Sequence, residues 1–186
     1  VRRRCWFILS GGFDLYLKVG DVYSHAVEAT KNLPMDEKSF FGVSFNFIEY
    51  MQKPIAQILP TFLRAIWYNN QDVEFSPLIP TFSAMLLVFM EPSLAYLSLQ
   101  AIINTSRESS YYLLLNKEQL FTTIEAVEKL IVIRFSSVAN HAEKLGINLS
   151  QLILSIFPYF FIPFISGPVS LTIFDSVVSE GRKVLF

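Results

Sequence analysis

Along most of the chain, apolar positions recur close to a 3.6-residue period, which predicts helices joined by short polar turns. Val22 to Thr30 reads as a short first helix, and Leu33 to Asn46, with Pro34, Gly42 and mixed charge, reads as a loop. From Phe47 to Asn70 the apolar stripe is Ile48, Met51, Ile55, Ile58, Leu59, Phe62, Leu63, Ile66 and Trp67. Pro54 and Pro60 fall inside it, so the spacing predicts one kinked helix or two short ones. Asn69-Asn70-Gln71-Asp72 forms a polar turn, and Pro77 or Pro80 opens a buried helix, because proline suits a first helical turn. Glu91-Pro92 starts another, running to about Asn104, with Thr105 to Ser110 as a polar loop.

Asn116 to Leu145 carries the clearest pattern, with Leu120, Ile124, Val127, Ile131, Phe135, Val138, Ala142 and Leu145 on one face. Asn116 and Gln119 make a capping-box pair at its start and Gly146 a stop at its end. Asn148 with Gln151 repeats the capping signal. Ser166-Gly167-Pro168 opens a last helix that runs to about Ser179, before Gly181. Val43 to Phe47 alternates briefly with the period of a strand but has no evident partner. The class is all-α, without internal repeat.

Two uncharged runs, Leu78 to Met90 and Leu145 to Phe174, raise a second possibility, a membrane-embedded helical protein. The second run exceeds the roughly 20 residues that cross a bilayer. Pro158, Pro163, Pro168, Gly146 and Gly167 interrupt it, however, and a spanning helix must satisfy its own backbone hydrogen bonds. Short core helices separated by tight turns fit these breakers better.

Composition narrows the chemistry. The 186 residues are 52% hydrophobic and 17% charged, which excludes a disordered linker. A net charge of −1 gives no basic field for nucleic acid. A single cysteine, Cys5, excludes an intrachain disulfide and a cysteine-based zinc site, and Cys5 reads as a buried structural residue. His25 reads as a surface residue and His141 as structural; neither has a partner at a recognised catalytic or metal-ligand spacing. No cofactor or metal is expected, and no secretory signal precedes the first helix.

Two passages carry a resemblance. Asn70-Gln71-Asp72-Val73-Glu74-Phe75-Ser76-Pro77-Leu78 resembles the "NP-x-V-x-Y-x-QG" stretch of the TBC domain, the helical GTPase-activating domain that acts on Rab proteins. Ile173-Phe174-Asp175 through Glu180-Gly181-Arg182-Lys183-Val184-Leu185-Phe186 resembles its "IWD-x-x-x-x-EG-x-KVLF" stretch. Arg2 to Leu9, with Trp6 as the aromatic, is similar to the family's opening. Within the family, Phe75-Ser76-Pro77-Leu78-Ile79-Pro80 and Leu86-Leu87-Val88-Phe89-Met90 resemble the Skywalker-type branch, in which a TLDc domain follows. The resemblance implies that residues 1–186 form one extended multi-helix TBC-like domain, incomplete at its C-terminal edge. It implies a small GTPase of Rab or Arf type as partner, in vesicle trafficking, and a cytoplasmic domain peripheral on endomembranes.

The family supplies an arginine finger, which neutralises developing phosphoryl charge, and a glutamine finger, which orients the attacking water. In this chain Pro77 occupies the glutamine position and Leu78 that of the following glycine, and no arginine lies between Cys5 and Leu63. Proline has no side-chain donor or acceptor. The expectation is therefore a domain without standard dual-finger catalysis, a pseudo-GAP that works by binding, with Asp72, Phe75, Ser76 and Pro77 as GTPase-interface candidates. The alternative is an active GTPase activator with non-standard residues, such as Lys38 or Lys53. The branch also implies a cationic pocket for phosphoinositide head groups. Arg2, Arg3 and Arg4 match its N-terminal side, while Thr172 stands where that branch has a second arginine. Arg182 and Lys183 are the remaining anionic-lipid candidates, since phosphate recognition relies on clustered Arg and Lys.

Overall fold

In a computed structural model, residues 1–32, 39–44, 53–73, 75–159, 161 and 164–185 are described. The helices are α1 (Arg2–Leu9), α2 (Gly12–Val19), α3 (Tyr23–Thr30), α4 (Lys53–Tyr68), α5 (Leu78–Phe89) and α6 (Pro92–Ser109). They continue as α7 (Lys117–Arg134), α8 (Ser136–Lys144), α9 (Leu149–Ile156) and α10 (Gly167–Glu180), with 3₁₀ turns at Phe157–Tyr159 and Arg182–Leu185. The class is all-α, with one small exception. Strands β1 (Ser39–Phe40) and β2 (Val43–Ser44) pair antiparallel, Ser39 opposite Ser44 and Phe40 opposite Val43. Their turn, Phe41-Gly42, has φ of 56° and 76°, the two positive values of a tight hairpin. The strand alternation expected from Val43 thus finds its partner at Phe40, three residues upstream; residues 45–47 of that stretch lie outside the described residues.

Helix α5 is the axis of the core. Every residue from Leu78 to Leu86 is buried, so its apolar character extends all round, as a helix enclosed by others requires. It packs on α4, on α6 and on the turn at Phe157–Tyr159. Helix α4 presents Leu59, Phe62, Leu63 and Ile66 to it at helical spacing. The helix continues through Pro60 rather than dividing there; the start of the expected element, residues 47–52, lies outside the described residues. Phe174 of α10 meets Phe82 of α5 at 4.8 Å and Trp6 of α1 at 4.9 Å between ring centroids, which closes α1 and α10 onto the same core.

Three expectations about the helices need correction. Two helices, α1 and α2, precede the one expected at Val22. The pair Gly11-Gly12 looks like a breaker, yet a Cβ on Gly12 would come within 2.9 Å of the Ser98 backbone, so the glycine lets α2 lie close against α6. The loop expected at Thr105–Ser110 is the last turn of α6: Ser106 and Ser109 donate back to the carbonyls of Ile102 and Thr105, so their polar side chains do not compete with the helix. The long element from Asn116 divides at Phe135, after the β-branched run Ile131-Val132-Ile133 and before Ser136-Ser137, residues that favour helix interiors poorly.

The caps hold. Asn116 Oδ1 accepts from the Gln119 backbone N–H, and Asn148 Oδ1 from that of Gln151. At the end of α8 the N–H groups of Gly146 and Ile147 donate to Glu143 and Ala142, a two-bond helix stop. The uncharged run from Leu145 becomes α9, a 3₁₀ turn and the start of α10. Among the described residues no helix is long and apolar enough to cross a membrane. Cys5, expected to be buried, is exposed, as are His25 and His141.

Candidate functional site

The loop between α4 and α5 is anchored by one polar side chain that faces inward, Asn70, while Asn69, Gln71 and Asp72 are exposed. Asn70 is completely buried, and its Nδ2 donates to the Ile66 carbonyl at 2.6 Å and to Gln100 Oε1 at 3.1 Å. Gln100 Nε2 and Asn69 Nδ2 both donate to the Tyr96 hydroxyl. Burial raises the Tyr96 pKa, so the hydroxyl stays protonated, while Tyr23 and Phe62 stack against its ring. On the outer side, Arg107 at the end of α6 grips Asp72 with Nε at 2.9 Å and Nη2 at 2.6 Å, and Nη2 also donates to Asn70 Oδ1 at 2.9 Å. This fork-to-carboxylate pairing holds the Asp72 carboxyl below the usual carboxylate range. A buried polar network of this kind gives one loop conformation, because each member would lose its partners in another.

The four loop candidates divide by exposure. Asp72 is exposed and Phe75 is half-buried, whereas Ser76 and Pro77 are buried. The Ser76 N–H donates to the Phe41 carbonyl at 2.9 Å, which ties the loop to the β1–β2 turn. Pro77 is the N-cap residue of α5 and offers no side-chain hydrogen bond. Asp72 and Phe75 are thus accessible at the surface of the loop, while Ser76 and Pro77 lie beneath it. Lys53 lies at the first turn of α4 and is exposed, while Lys38 lies outside the described residues.

Beside Phe75 the fold brings in a residue that sequence reading passed over. Lys117, the first residue of α7, places Nζ 5.6 Å from the Phe75 ring centroid. The other edge of Phe75 lies against Gly42, where a Cβ would come within 2.3 Å of the ring. Gly42, Phe75, Asn116 and Lys117 line an open cleft of about 370 Å³. Lys117 is 42 positions from Phe75 in the chain, and only its place directly after an N-cap marks it in the sequence.

The arginine candidates lie on a different face. Arg2 Nε sits 3.1 Å and 3.0 Å from the two Asp175 oxygens, its Nη2 is 3.0 Å from Oδ2, and its guanidinium lies over the Phe89 ring. Trp6 Nε1 donates to Asp175 Oδ1 at 2.8 Å, so the opening stretch and the late Ile173-Phe174-Asp175 stretch are joined through one carboxylate. The hydrogen bond and charge of Asp175 raise the Arg2 pKa further. Arg3 pairs with Glu91 at 3.1 Å, and Arg4 is exposed. Val1, Arg2, Arg3, Phe89 and Asp175 line a shallow hollow of about 540 Å³. Arg182 does not join them: its Nε donates to the Ser110 carbonyl at 2.6 Å and its Nη1 to Thr123 Oγ1 at 3.1 Å, and burial lowers its pKa. Lys183 pairs with Glu180, and Thr172 donates to the Pro168 carbonyl one turn back.

The family model of the Rab-GTPase-TBC domain matches residues 2–186. No curated protein sequence matches significantly. Among solved structures, the TBC domain of Skywalker from Drosophila melanogaster in complex with inositol(1,4,5)triphosphate matches with a TM-score of 0.79 at 18% identity, covering 100% of this chain and 65% of that one. The same domain without that description of a ligand matches with a TM-score of 0.77 at 18% identity, covering 100% of this chain and 62% of that one. The chain thus spans just under two thirds of the length of these solved relatives, and at that identity the likeness is one of fold.

Proposed function

The chain belongs to the Rab-GTPase-TBC domain family, and from that premise we propose that it regulates a small GTPase of Rab or Arf type by binding it rather than by dual-finger catalysis. The observation that carries this reading is Pro77. At the head of α5, where the family's glutamine would orient water, stands a buried ring without donor or acceptor. No arginine lies between Cys5 and Leu63 to neutralise the transferred phosphoryl group. Loss of an arginine finger alone removes about three to five orders of magnitude in rate. What remains is a loop held in one shape by Asn70, Gln100 and Arg107, which suits a contact surface.

The test is a panel of Rab and Arf proteins assayed for binding and for GTP hydrolysis, with and without the domain. Binding with less than about a twofold change in hydrolysis is expected; stimulation of the size an arginine finger gives would overturn the reading. Pro77→Gln alone should restore no hydrolysis, because the arginine is still absent. If stimulation occurs and falls on Lys53→Ala, the active alternative is the better one.

A second reading concerns membranes. The solved Skywalker TBC domain is described with inositol(1,4,5)triphosphate, and Arg2 and Arg3 line a hollow in this chain, with exposed Arg4 next in sequence. We propose a weak contact with phosphoinositide surfaces there, weak because Asp175 and Glu91 already pair with Arg2 and Arg3. Flotation with phosphoinositide vesicles, repeated for Arg2→Ala and Arg4→Ala, tests it; unchanged binding removes these arginines from the contact.

A further inference from the structure

Helices α1 and α2 turn an apolar surface outward. Ile8 and Leu9 at the end of α1, and Phe13, Tyr16, Leu17 and Val19 on α2, are all exposed, Ile8 by 61% and Leu17 by 68%. Single exposed apolar side chains are ordinary, but a run of them on two helices packed together makes a patch of the kind that marks an interaction surface. The fold holds these side chains outside. Gly12 fixes the inward face of α2, since a Cβ there would come within 2.9 Å of the Ser98 backbone, so α2 cannot roll to bury Phe13 and Leu17. Those two residues stand one turn apart on its outer side. Phe7 of α1 meets Phe13 at 6.2 Å and Tyr16 at 6.5 Å between ring centroids, so the two helices present one joined surface.

Charge decides what covers it. Residues 2–19 carry Arg2, Arg3, Arg4 and Lys18 against a single acid, Asp14. Arg2 and Arg3 have carboxylate partners, whereas Arg4 and Lys18 are exposed and form no ion pair among the described residues. Arg4 stands one turn before Ile8, and Lys18 follows Leu17. A second apolar surface, with Ile133, Phe135, Val138 and Leu145 exposed, lacks this bias, because acids and bases balance over 117–145. Aromatic and aliphatic side chains flanked by unpaired basic ones suit a helix that lies in a lipid interface: the apolar groups enter the acyl boundary and the cations meet anionic headgroups.

We propose that the α1–α2 hairpin is a membrane-contact element that inserts Ile8, Phe13, Tyr16 and Leu17 into the surface of an anionic bilayer. This goes beyond the headgroup contact proposed above. That contact needs phosphoinositide at the Arg2–Arg3 hollow; this one needs acyl chains and any anionic lipid.

The test is flotation of the 186-residue chain with vesicles of phosphatidylcholine and phosphatidylserine in about a 7:3 ratio, free of phosphoinositide. Wild type should float, and the double variant Ile8→Gln/Leu17→Gln should lose tenfold or more of its vesicle affinity with unchanged Tm. In Leu17→Trp, lipids brominated along the acyl chain should quench the added fluorescence relative to wild type. Equal flotation of the double variant, or no added quenching, would show that the basic residues act alone and overturns the insertion. Binding that appears only when phosphoinositide is present also overturns it and leaves the headgroup contact standing. Flotation without phosphoinositide that survives Arg2→Ala supports the insertion independently of that contact. If the double variant instead abolishes self-association of the chain and leaves flotation unchanged, the patch is a protein interface and the proposal fails.

Discussion

On the α1–α10 face, Arg2 gives its guanidinium to Asp175 and Arg3 to Glu91, while Trp6 adds an N–H to the same Asp175 carboxylate. At the α4–α5 loop, Asp72 is likewise taken by Arg107, while Lys117 lies over the Phe75 ring, with no ion pair among the described residues. The three consecutive arginines that dominate the N-terminus on paper are therefore mostly neutralised within the fold. Lys117, inconspicuous in the chain, lies over an aromatic ring instead. Charge density along a sequence says little about charge available at a surface, because the carboxylates that meet Arg2, Arg3 and Arg107 come from elements far away in the chain.

That contrast can be tested by substitution. The largest effect is expected at Trp6, buried between Phe89 and Phe174. Trp6→Ala should cost about 3–5 kcal/mol in denaturant unfolding. Trp6→Phe, which keeps an aromatic ring but loses the bond to Asp175 and part of the indole volume, should cost less. A small loss for Trp6→Ala would show that the arginine face is not part of the core.

Asn70→Ala comes next. It strips partners from the Ile66 carbonyl, Gln100 and Arg107 at a fully buried position, and should cost about 1–3 kcal/mol for the groups left unsatisfied. A neutral result would mean that the loop is not held by this network.

Asp72→Asn should cost about 1 kcal/mol or less, since the pair is solvent-exposed and screened. Its pH dependence carries a sign. Arg107 lowers the folded-state pKa of Asp72, so its contribution is present above the unfolded value of about 4 and disappears as pH falls through the lower folded value. The deficit of Asp72→Asn against wild type should be visible at pH 7 and fade below about pH 4. A deficit that persists in acid would place the effect in packing rather than charge.

The smallest effect is expected at Lys117. Lys117→Gln should leave stability within about 0.5 kcal/mol of wild type, or raise it slightly, because it removes a cation from a helix N-terminus. A loss comparable to that of Asp72→Asn would mean that Lys117 serves the fold.

Much of the helical frame was legible beforehand. Asn116, Asn148 and Gly181 bound their helices where the cap rules put them, because a cap is a local hydrogen bond between residues close in the chain. The uniform burial of α5 was legible in its uncharged composition. Helix α2 was not: Gly12 reads as a breaker until the close approach of Ser98 is known. The division of α7 from α8 was blurred by an apolar stripe that continues across Phe135. Of the site, Asp72, Phe75, Ser76 and Pro77 were named from a motif, but which of them reach the surface was not visible in it. Arg107, which holds Asp72 from 35 positions away, was read as part of a polar loop.

By itself, then, the sequence determined the class, the helix boundaries that depend on caps, and the lack of side-chain chemistry at Pro77, since these follow from residue type and short-range geometry. Only the tertiary structure decided which charges cancel. Arg2 meets Asp175 across 173 positions and Arg107 meets Asp72 across 35. Lys117 reaches Phe75 across a turn that Gly42 alone keeps open. Ion pairing and burial act through space over a few ångströms, and the chain order of residues does not encode those distances.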